Sequence, residues 1–590
     1  CKGFHALMEE GGNELHHNFT QLRKAAASYT AAEGDYRLAI LGDSATQMLS
    51  AAVTGMGVLH NLRIHVLDTD YNQIQLQAFD QNSELYRFQP NGVLLFMCTR
   101  KLFEDYCRFT GDRKHFADAK MQEIAEIQDK IYERSRAGIF QLTFMTENDL
   151  IFGNFGLKQK SSFVYQLRRL NLLLMERAAE HSFLYLIDIE HIRSVVGTGF
   201  LDRKLYDTAK MAVSLNGLPE LAYHVVKMIQ SQCGVQKKCV ICDLDNTLWG
   251  GVIGDDGIGG IEIGEHGTGP AYTEFQLWLK ELKKRGILLC ICSKNEEQTA
   301  KKAFCEHPDM VLRLEDITVF VANWDDKAAN IRRIREMLNI GLDSMVFIDD
   351  NPFERELVRK LLPEVTVPEM PEDVSCFCSY LRNLDLFESA AISETDANRT
   401  EQYRSEFQRN QRMTNTTDLD SYLQSLEMIA TYHSFDEQSY ARIAQLTQRS
   451  NQFHLRSIRY SESDIEQIAK NDNYLTLYFT LKDQFGGYGI VAVVILEKQE
   501  QAVFVDTLLM SCRVLKRGME EFLFNTIVET VQNAGYACIE AEYLPTPKNR
   551  MVQDLYPRFG FQEISDGKYR LLCEQYTPQK TFIADDTKQK

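Results

Sequence analysis

An apolar run, Val240-Ile241-Cys242, climbs directly into two aspartates one residue apart, Asp243 and Asp245, and then into Asn246-Thr247 and the glycine pair Gly250-Gly251. In a strand, residues two apart point to the same side, so Asp243 and Asp245 are expected to emerge together at its end. Open α/β sheets keep their ligand crevice at the carboxyl ends of their strands. Two adjacent carboxylates repel, and a hard divalent cation or a shared proton relieves the repulsion.

Three later segments supply what a phosphoryl-handling crevice needs. Gly286 to Asn295 is a second apolar strand, ending in Ser293, whose hydroxyl can bond a phosphoryl oxygen. Asn323-Trp324-Asp325-Asp326-Lys327 precedes a helical stretch and offers the Lys327 ammonium to a transferring group. Met345 to Pro352 is a third strand, ending in Asp349 and Asp350, which suits Mg²⁺. Between them, Phe275, Leu279 and Leu282 lie at helical spacing, as do Ala329, Ile331, Ile334 and Leu338. Strands alternating with helices predict a parallel doubly wound sheet.

This ordered set resembles the four motifs of the haloacid dehalogenase (HAD) superfamily. The longer strings DLDNTLWGGVIGDDG, CSKNE, NWDDKAANIRRI and FIDDNPFERE resemble its FkbH-like branch. The resemblance implies Asp243 as the nucleophile and Asp245 as the general acid/base. It implies Thr247 as a support of the loop, and Ser293 and Lys327 as holders of the phosphoryl oxygens. Mg²⁺ would sit among Asp243, Asp349 and Asp350, with Asp245 touching it through its backbone carbonyl. A carboxylate nucleophile splits hydrolysis into an aspartyl-phosphate step and attack by water. By strand alternation Cys242 faces away from this site.

With 590 residues the chain is long enough for several domains. A net charge of −18 argues against binding to nucleic acid or to a membrane surface. No run of about 18 apolar residues exists to span a membrane. The 14 cysteines lie mostly inside apolar runs, which reads as buried thiols in a reducing cytoplasm. Cys239 and Cys242 have redox-motif spacing but face opposite sides of a strand. The opening Cys1-Lys2-Gly3-Phe4 has neither an initiator Met nor a signal-like run and is expected to be a trimmed start.

Residues 1–35 read as an amphipathic helical segment. Residues 36–236 form an α/β domain with five expected strands, at Arg37–Leu41, Leu62–Leu67, Gly92–Met97, Ile139–Met145 and Phe183–Asp188. Gly42-Asp43-Ser44, Asn148-Asp149 and Asp188-x-x-His191 resemble blocks of the SGNH hydrolase fold. That resemblance implies Ser44 as nucleophile, Asn148 as oxyanion donor, and His191 oriented by Asp188, or else an inherited scaffold without chemistry.

The HAD-like domain is expected over 237–371. The interval from Gly251 to the helix at Phe275 can form a flap but not a large cap, which leaves the crevice open to a bulky partner or to closure by a neighbouring domain. A linker and charged helix, Tyr403 to Met413, fill 372–418. In 419–575, strands are expected at Tyr474–Leu481, Tyr488–Leu496 and Ala502–Met510, then a helix from Met519 to Val531. Arg513, Lys516, Arg517 and Gly518 at that helix N-terminus resemble the acetyltransferase (GNAT) pattern, and Tyr556 its final motif. Together they imply a candidate pantetheine or coenzyme A site. A polar tail, 576–590, is expected to fray.

The expected fold is thus α/β, with three modules in series: an SGNH-like domain, a HAD Rossmann-like parallel sheet with minimal cap, and a GNAT-like α+β domain. The resemblance implies a phosphorylated glyceryl unit, 1,3-bisphosphoglycerate, dephosphorylated and delivered to the phosphopantetheine of an acyl carrier protein. The alternatives are a plain Mg²⁺-dependent phosphatase in polysaccharide or secondary-metabolite assembly, and an acyltransferase or carrier-docking scaffold with an auxiliary HAD site.

Overall fold

The computed structural model describes residues 17–390, 419–450, 452–484, 486–546 and 548–587. It divides between Ser231 and Gln232 into two units. The expected linker helix Tyr403 to Met413 lies outside the described residues, as do residues 1–16 of the N-terminal segment. Among the described residues, no helix is long and apolar enough to cross a membrane.

The first unit is built on β1 (Tyr36–Gly42), β2 (Ile64–Asp68), β3 (Gly92–Phe96), β4 (Gly138–Leu142) and β5 (Leu184–Ile187). All pair in parallel, in the order β2-β1-β3-β4-β5. The strands are continuous apolar runs because helices cover both faces of a parallel sheet. Val93, Leu94 and Leu95, for example, are fully buried. The helix Phe116–Ser135 lays Phe116, Met121, Ile124, Ile127 and Ile131 onto one face, at helical spacing. The expected N-terminal helix is present over Phe19–Ala27. It crosses the helix Gln47–Leu59 at Gly55, where a Cβ would stand 2.0 Å from the Leu22 carbonyl oxygen.

The second unit holds two sheets. The smaller comprises β6 (Cys239–Cys242), β7 (Leu288–Ser293), β8 (Val319–Ala322) and β9 (Met345–Ile348). It is parallel, ordered β8-β7-β6-β9. The edge strand β8 was not among the expected strands. Cys239 Sγ lies 3.6 Å from Cys290 Sγ on the neighbouring strand, both as thiols, so the Cys239–Cys242 spacing forms no dithiol.

The larger sheet runs β10 (Ile429–His433), β11 (Tyr474–Asp483), β12 (Gly486–Lys498), β13 (Val503–Met510), β14 (Cys538–Glu542), β15 (Gln562–Ser565), β16 (Lys568–Leu572) and β17 (Ala584–Asp585). Its order is β15-β16-β14-β13-β12-β11-β10-β17. Only β13/β14 and β10/β17 pair in parallel. The tail expected to fray instead folds back: β17 pairs with β10, and Ile583 is buried in the core of this sheet.

β13 and β14 pair only over Val503–Val505 and Ile539–Ala541 and then diverge. The gap is filled by the chain itself. Leu455 donates its amide to the Leu508 carbonyl at 3.3 Å, Met510 donates to the Phe453 carbonyl at 3.0 Å, and Leu544 donates to the Leu455 carbonyl at 2.9 Å. At the fork, the Arg456 guanidinium joins Asp506 (2.9 Å) to Glu542 (3.0 Å).

Candidate active site

In the smaller sheet of the second unit, the chain leaves β6 towards β7 and β8 and returns on the other side as β9. The reversal places a crevice outside the carboxyl ends of β6 and β9. Asp243 follows β6 directly and Asp349 follows β9 directly. The Asp243 amide donates to the Ile348 carbonyl at 3.0 Å, which ties the two loops at their roots.

Lys327 opens the helix that follows β8 and is itself buried. Its Nζ lies 3.1 Å from Asp243 Oδ1 and 2.5 Å from Asp349 Oδ2. Asp243, Asp349 and Asp350 each offer a carboxylate oxygen within 4.8 Å of the others, an arrangement that could hold a metal ion. Burial pushes the Asp243 carboxyl up to about 6, with Asp349 adding to the rise and Lys327, Ser293 and the Leu244 amide opposing it. Burial likewise raises Asp349 and Asp350. The two carboxylates beside Lys327 outweigh its burial and hold its ammonium well above the ordinary lysine value.

Asp245 departs from the expectation drawn from alternation. β6 ends at Cys242, so the two aspartates stand on a loop rather than on one face of a strand. Asp245 Oδ1 accepts from the Trp249 indole at 2.9 Å and the Ile253 amide at 3.1 Å, and Oδ2 accepts from Asn295 Nδ2 at 2.8 Å. Its side chain is therefore not part of the metal-capable carboxylate group of Asp243, Asp349 and Asp350, which agrees with a metal contact expected only through its backbone carbonyl. Thr247 Oγ1 donates to Asp350 Oδ1 at 3.2 Å and accepts from the Asp350 amide at 3.1 Å, so it braces one loop against the other. Ser293 is buried at the end of β7, and its Oγ accepts from Asn295 Nδ2 at 3.1 Å.

Two partners of this site escaped the sequence reading. Asn295 lies two residues beyond Ser293 and joins Ser293 to Asp245, a link that only the folded loop reveals. Arg355 Nη1 donates to the carbonyls of Asp349 (2.9 Å) and Asp350 (2.7 Å), while Nη2 meets Glu369 at 2.8 Å. The flap is small: one turn of helix, Ile253–Asp256, and a bridge between Gly250 and Glu262.

The other candidate sets are not assembled. Ser44 Oγ is buried and has no hydrogen-bond partner. His191 packs its ring 5.7 Å from that of His224, Asp188 caps its own helix through the Glu190 amide, and Asn148 bonds the Leu150 amide. No Ser44–His191 hydrogen bond forms, so the expected acyl-transfer set is absent from this geometry. In the larger sheet of the second unit, Arg517 is buried against Tyr488 (2.6 Å to its hydroxyl) and Asp483 (3.8 Å). Gly518, at φ +79°, caps the helix Met519–Asn533, and its carbonyl accepts from Thr581 Oγ1 at 3.1 Å. Glu520 and Glu521 occupy the first turn and oppose a second anion there. Lys516 is exposed, Arg513 Nε donates to Ser511 Oγ, and the Tyr556 hydroxyl is buried without a hydrogen-bond partner. The fork between β13 and β14 is filled by Phe453–Arg456.

Residues 37–230 match the family model for the N-terminal domain of FkbH. The chain is similar to the crystal structure of the N-terminal part of the protein BF1531 from Bacteroides fragilis, which contains a phosphatase domain complexed with Mg. The identity is 41%, the match covers 64% of this chain and 100% of that one, and the TM-score is 0.61. Weaker matches include the ribosomal-protein-S18-alanine N-acetyltransferase of Escherichia coli, at 16% identity over 24% of this chain and 89% of that one, with a TM-score of 0.19. Another is the spermidine N-acetyltransferase of Vibrio cholerae, at 14% identity over 25% of this chain and 97% of that one, with a TM-score of 0.20. Those two scores are too low to bear on fold or function. No protein of curated function matches the chain.

Proposed function

Because the chain belongs to the family of the Bacteroides fragilis protein BF1531, whose N-terminal part contains a phosphatase domain complexed with Mg, we propose that it is a Mg²⁺-dependent phosphoryl hydrolase of the HAD type. The observation that carries this reading is the meeting of Asp243, Lys327, Asp349 and Asp350 at the sheet reversal. Three carboxylates face one ammonium there. The excess charge and the all-oxygen donor set fit a hard divalent cation held by Asp243, Asp349 and Asp350. When bound, Mg²⁺ supplies positive charge to the phosphoryl oxygens.

The chain's own residues do the rest. The Asp243 carboxylate attacks phosphorus, and the bond to the leaving oxygen breaks. Lys327 and Ser293 donate to the phosphoryl oxygens as charge gathers on them. Asp245, released from Trp249 and Ile253, gives a proton to the leaving oxygen and takes one from the water that cleaves the aspartyl-phosphate. Thr247 and Asn295 keep the loops in register. In a direct test, wild-type protein releases phosphate from p-nitrophenyl phosphate with Mg²⁺ and stops on chelation. Release that persists after chelation would remove the metal from the reaction.

The finer reading is a transferase of the FkbH-like class. It takes a phosphorylated glyceryl unit, 1,3-bisphosphoglycerate, and passes the glyceryl group to the phosphopantetheine thiol of an acyl carrier protein in the cytoplasm. The match of residues 37–230 to the FkbH N-terminal domain and the small flap support it. Free thiols at the described cysteines support the reducing compartment. Intact-mass measurement of the carrier after incubation with 1,3-bisphosphoglycerate decides between the two. Phosphate release with no gain in carrier mass leaves the plain phosphatase.

A further inference from the structure

The first unit has a sheet reversal of its own. The order β2-β1-β3-β4-β5 turns between β1 and β3, and a cavity of about 260 Å³ opens at their carboxyl ends. That volume is near the lower end of the roughly 300–1,000 Å³ found for small-molecule sites. Asp43, the residue after β1, is half-buried and lines it. Both its oxygens accept from the Cys98 amide, at 3.0 and 3.1 Å, and the Cys98 thiol is a second, neutral partner. No ammonium or guanidinium among the described residues lies within ion-pair distance of it.

The other charges in the lining are already matched. Lys120 bonds Asp105 at 2.9 Å and Glu123 at 3.0 Å, and Lys101 lies 3.8 Å from Glu104. An anion entering the cavity would meet no uncommitted cation. A bare metal ion is disfavoured too, because among the described residues only Asp243, Asp349 and Asp350 come close enough together to hold one. The uncharged part of the wall is mixed: Asn72 and Gln75 are polar, and Ile74, Leu102, Ile127 and Phe144 form an apolar patch. Burial pushes the Asp43 carboxyl up to about 6, with Asp105 adding to the rise and Cys98 and the more distant Lys120 opposing it. The cavity is separate from the Ser44 set: Ser44 is not in its lining, and His191 and Asp188 stand beyond β5.

We propose that this cavity binds a small primary ammonium ligand with a short apolar body, Asp43 serving as its counter-ion and the Ile74–Phe144 wall taking the hydrocarbon. The test uses the full chain and three probes of one shape: n-butylammonium, n-butanol and butyrate, at equal ionic strength, followed by saturation-transfer NMR. Butylammonium is expected to give the strongest signal. Asp43→Asn should weaken its binding about tenfold or more, the loss of a charge-assisted hydrogen bond. Gln75→Trp, at the exposed rim, should block all three probes and guards against misfolding of the first variant. Phosphate release from p-nitrophenyl phosphate should stay unchanged in both. Equal signals from the three probes, a preference for butyrate, or butylammonium binding that survives both variants would overturn the proposal.

Discussion

Asp243 and Lys327 share one contact of 3.1 Å but have different tasks, and substitution separates them. Asp243→Asn keeps the shape and removes the nucleophile. Phosphate release is expected to fall by more than about 1,000-fold with an unchanged circular dichroism spectrum. Lys327→Ala removes charge that matters most as the phosphoryl group transfers. A loss of about 100-fold in kcat with a smaller change in KM is expected from steady-state kinetics. Ser44→Ala should leave phosphate release intact and should not lower the melting temperature, because the buried hydroxyl has no hydrogen-bond partner to lose. Asp243, Ser293, Lys327 and Asp349 were legible because each stands where an apolar run or helix start ends. The setting of Asp245 was not, because its indole, amide and carboxamide partners come from Trp249, the flap at Ile253 and Asn295 and not from strand alternation.

At the scale of elements, the loop after β9 is held by a neighbour that touches no substrate. Arg355 reaches back from the helix Pro352–Leu361 to the carbonyls of Asp349 and Asp350 and is pinned by Glu369. Arg355→Ala is expected to raise the Mg²⁺ concentration for half-maximal activity by about 10–100-fold, with Arg355→Lys intermediate. A drop in kcat at saturating Mg²⁺ with no such shift would contradict that positioning role. The long apolar strands β1, β3, β7, β11 and β12 were readable from composition. β8, β10 and β14 to β17 were not: β10, β14, β15 and β16 mix polar and charged residues into runs of four or five, and β17 is only two residues long. The helix N-terminus at Gly518 was read locally as an anion site. Thr581, 63 residues downstream, donates to the Gly518 carbonyl beside it, and no local motif announces a contact of that range.

For the whole molecule, buried histidines set part of the acid response: burial lowers both His60 and His454 to about 4. His454 is fully buried, accepts from the Ser457 amide and pairs with the Ile458 carbonyl. Burial lowers its pKa to about 4, with Arg459 and Arg456 adding to the fall and the Ile458 carbonyl opposing it. The unfolded chain binds a proton there near pH 6.5, so between pH 6.5 and 4 unfolding takes up protons and stability drops as pH falls. The drop is on the order of 3 kcal/mol, from about 1.4 kcal/mol for each pH unit. Urea melts at pH 7 and pH 4.5 should show a smaller acid loss for His454→Gln than for wild type.

The same stretch has a consequence for synthesis. Phe453–Arg456 leaves the ribosome well before the two strands it wedges apart, yet among the described residues it is the edge partner that the second half of β13 finds on that side. A fragment beginning after Ser457 would carry β13 and β14 with bare amides and carbonyls along the fork, a template for strands of other molecules. Such a fragment is expected to self-associate in light scattering, and a synthetic peptide spanning 450–458 should suppress the association by taking the empty place.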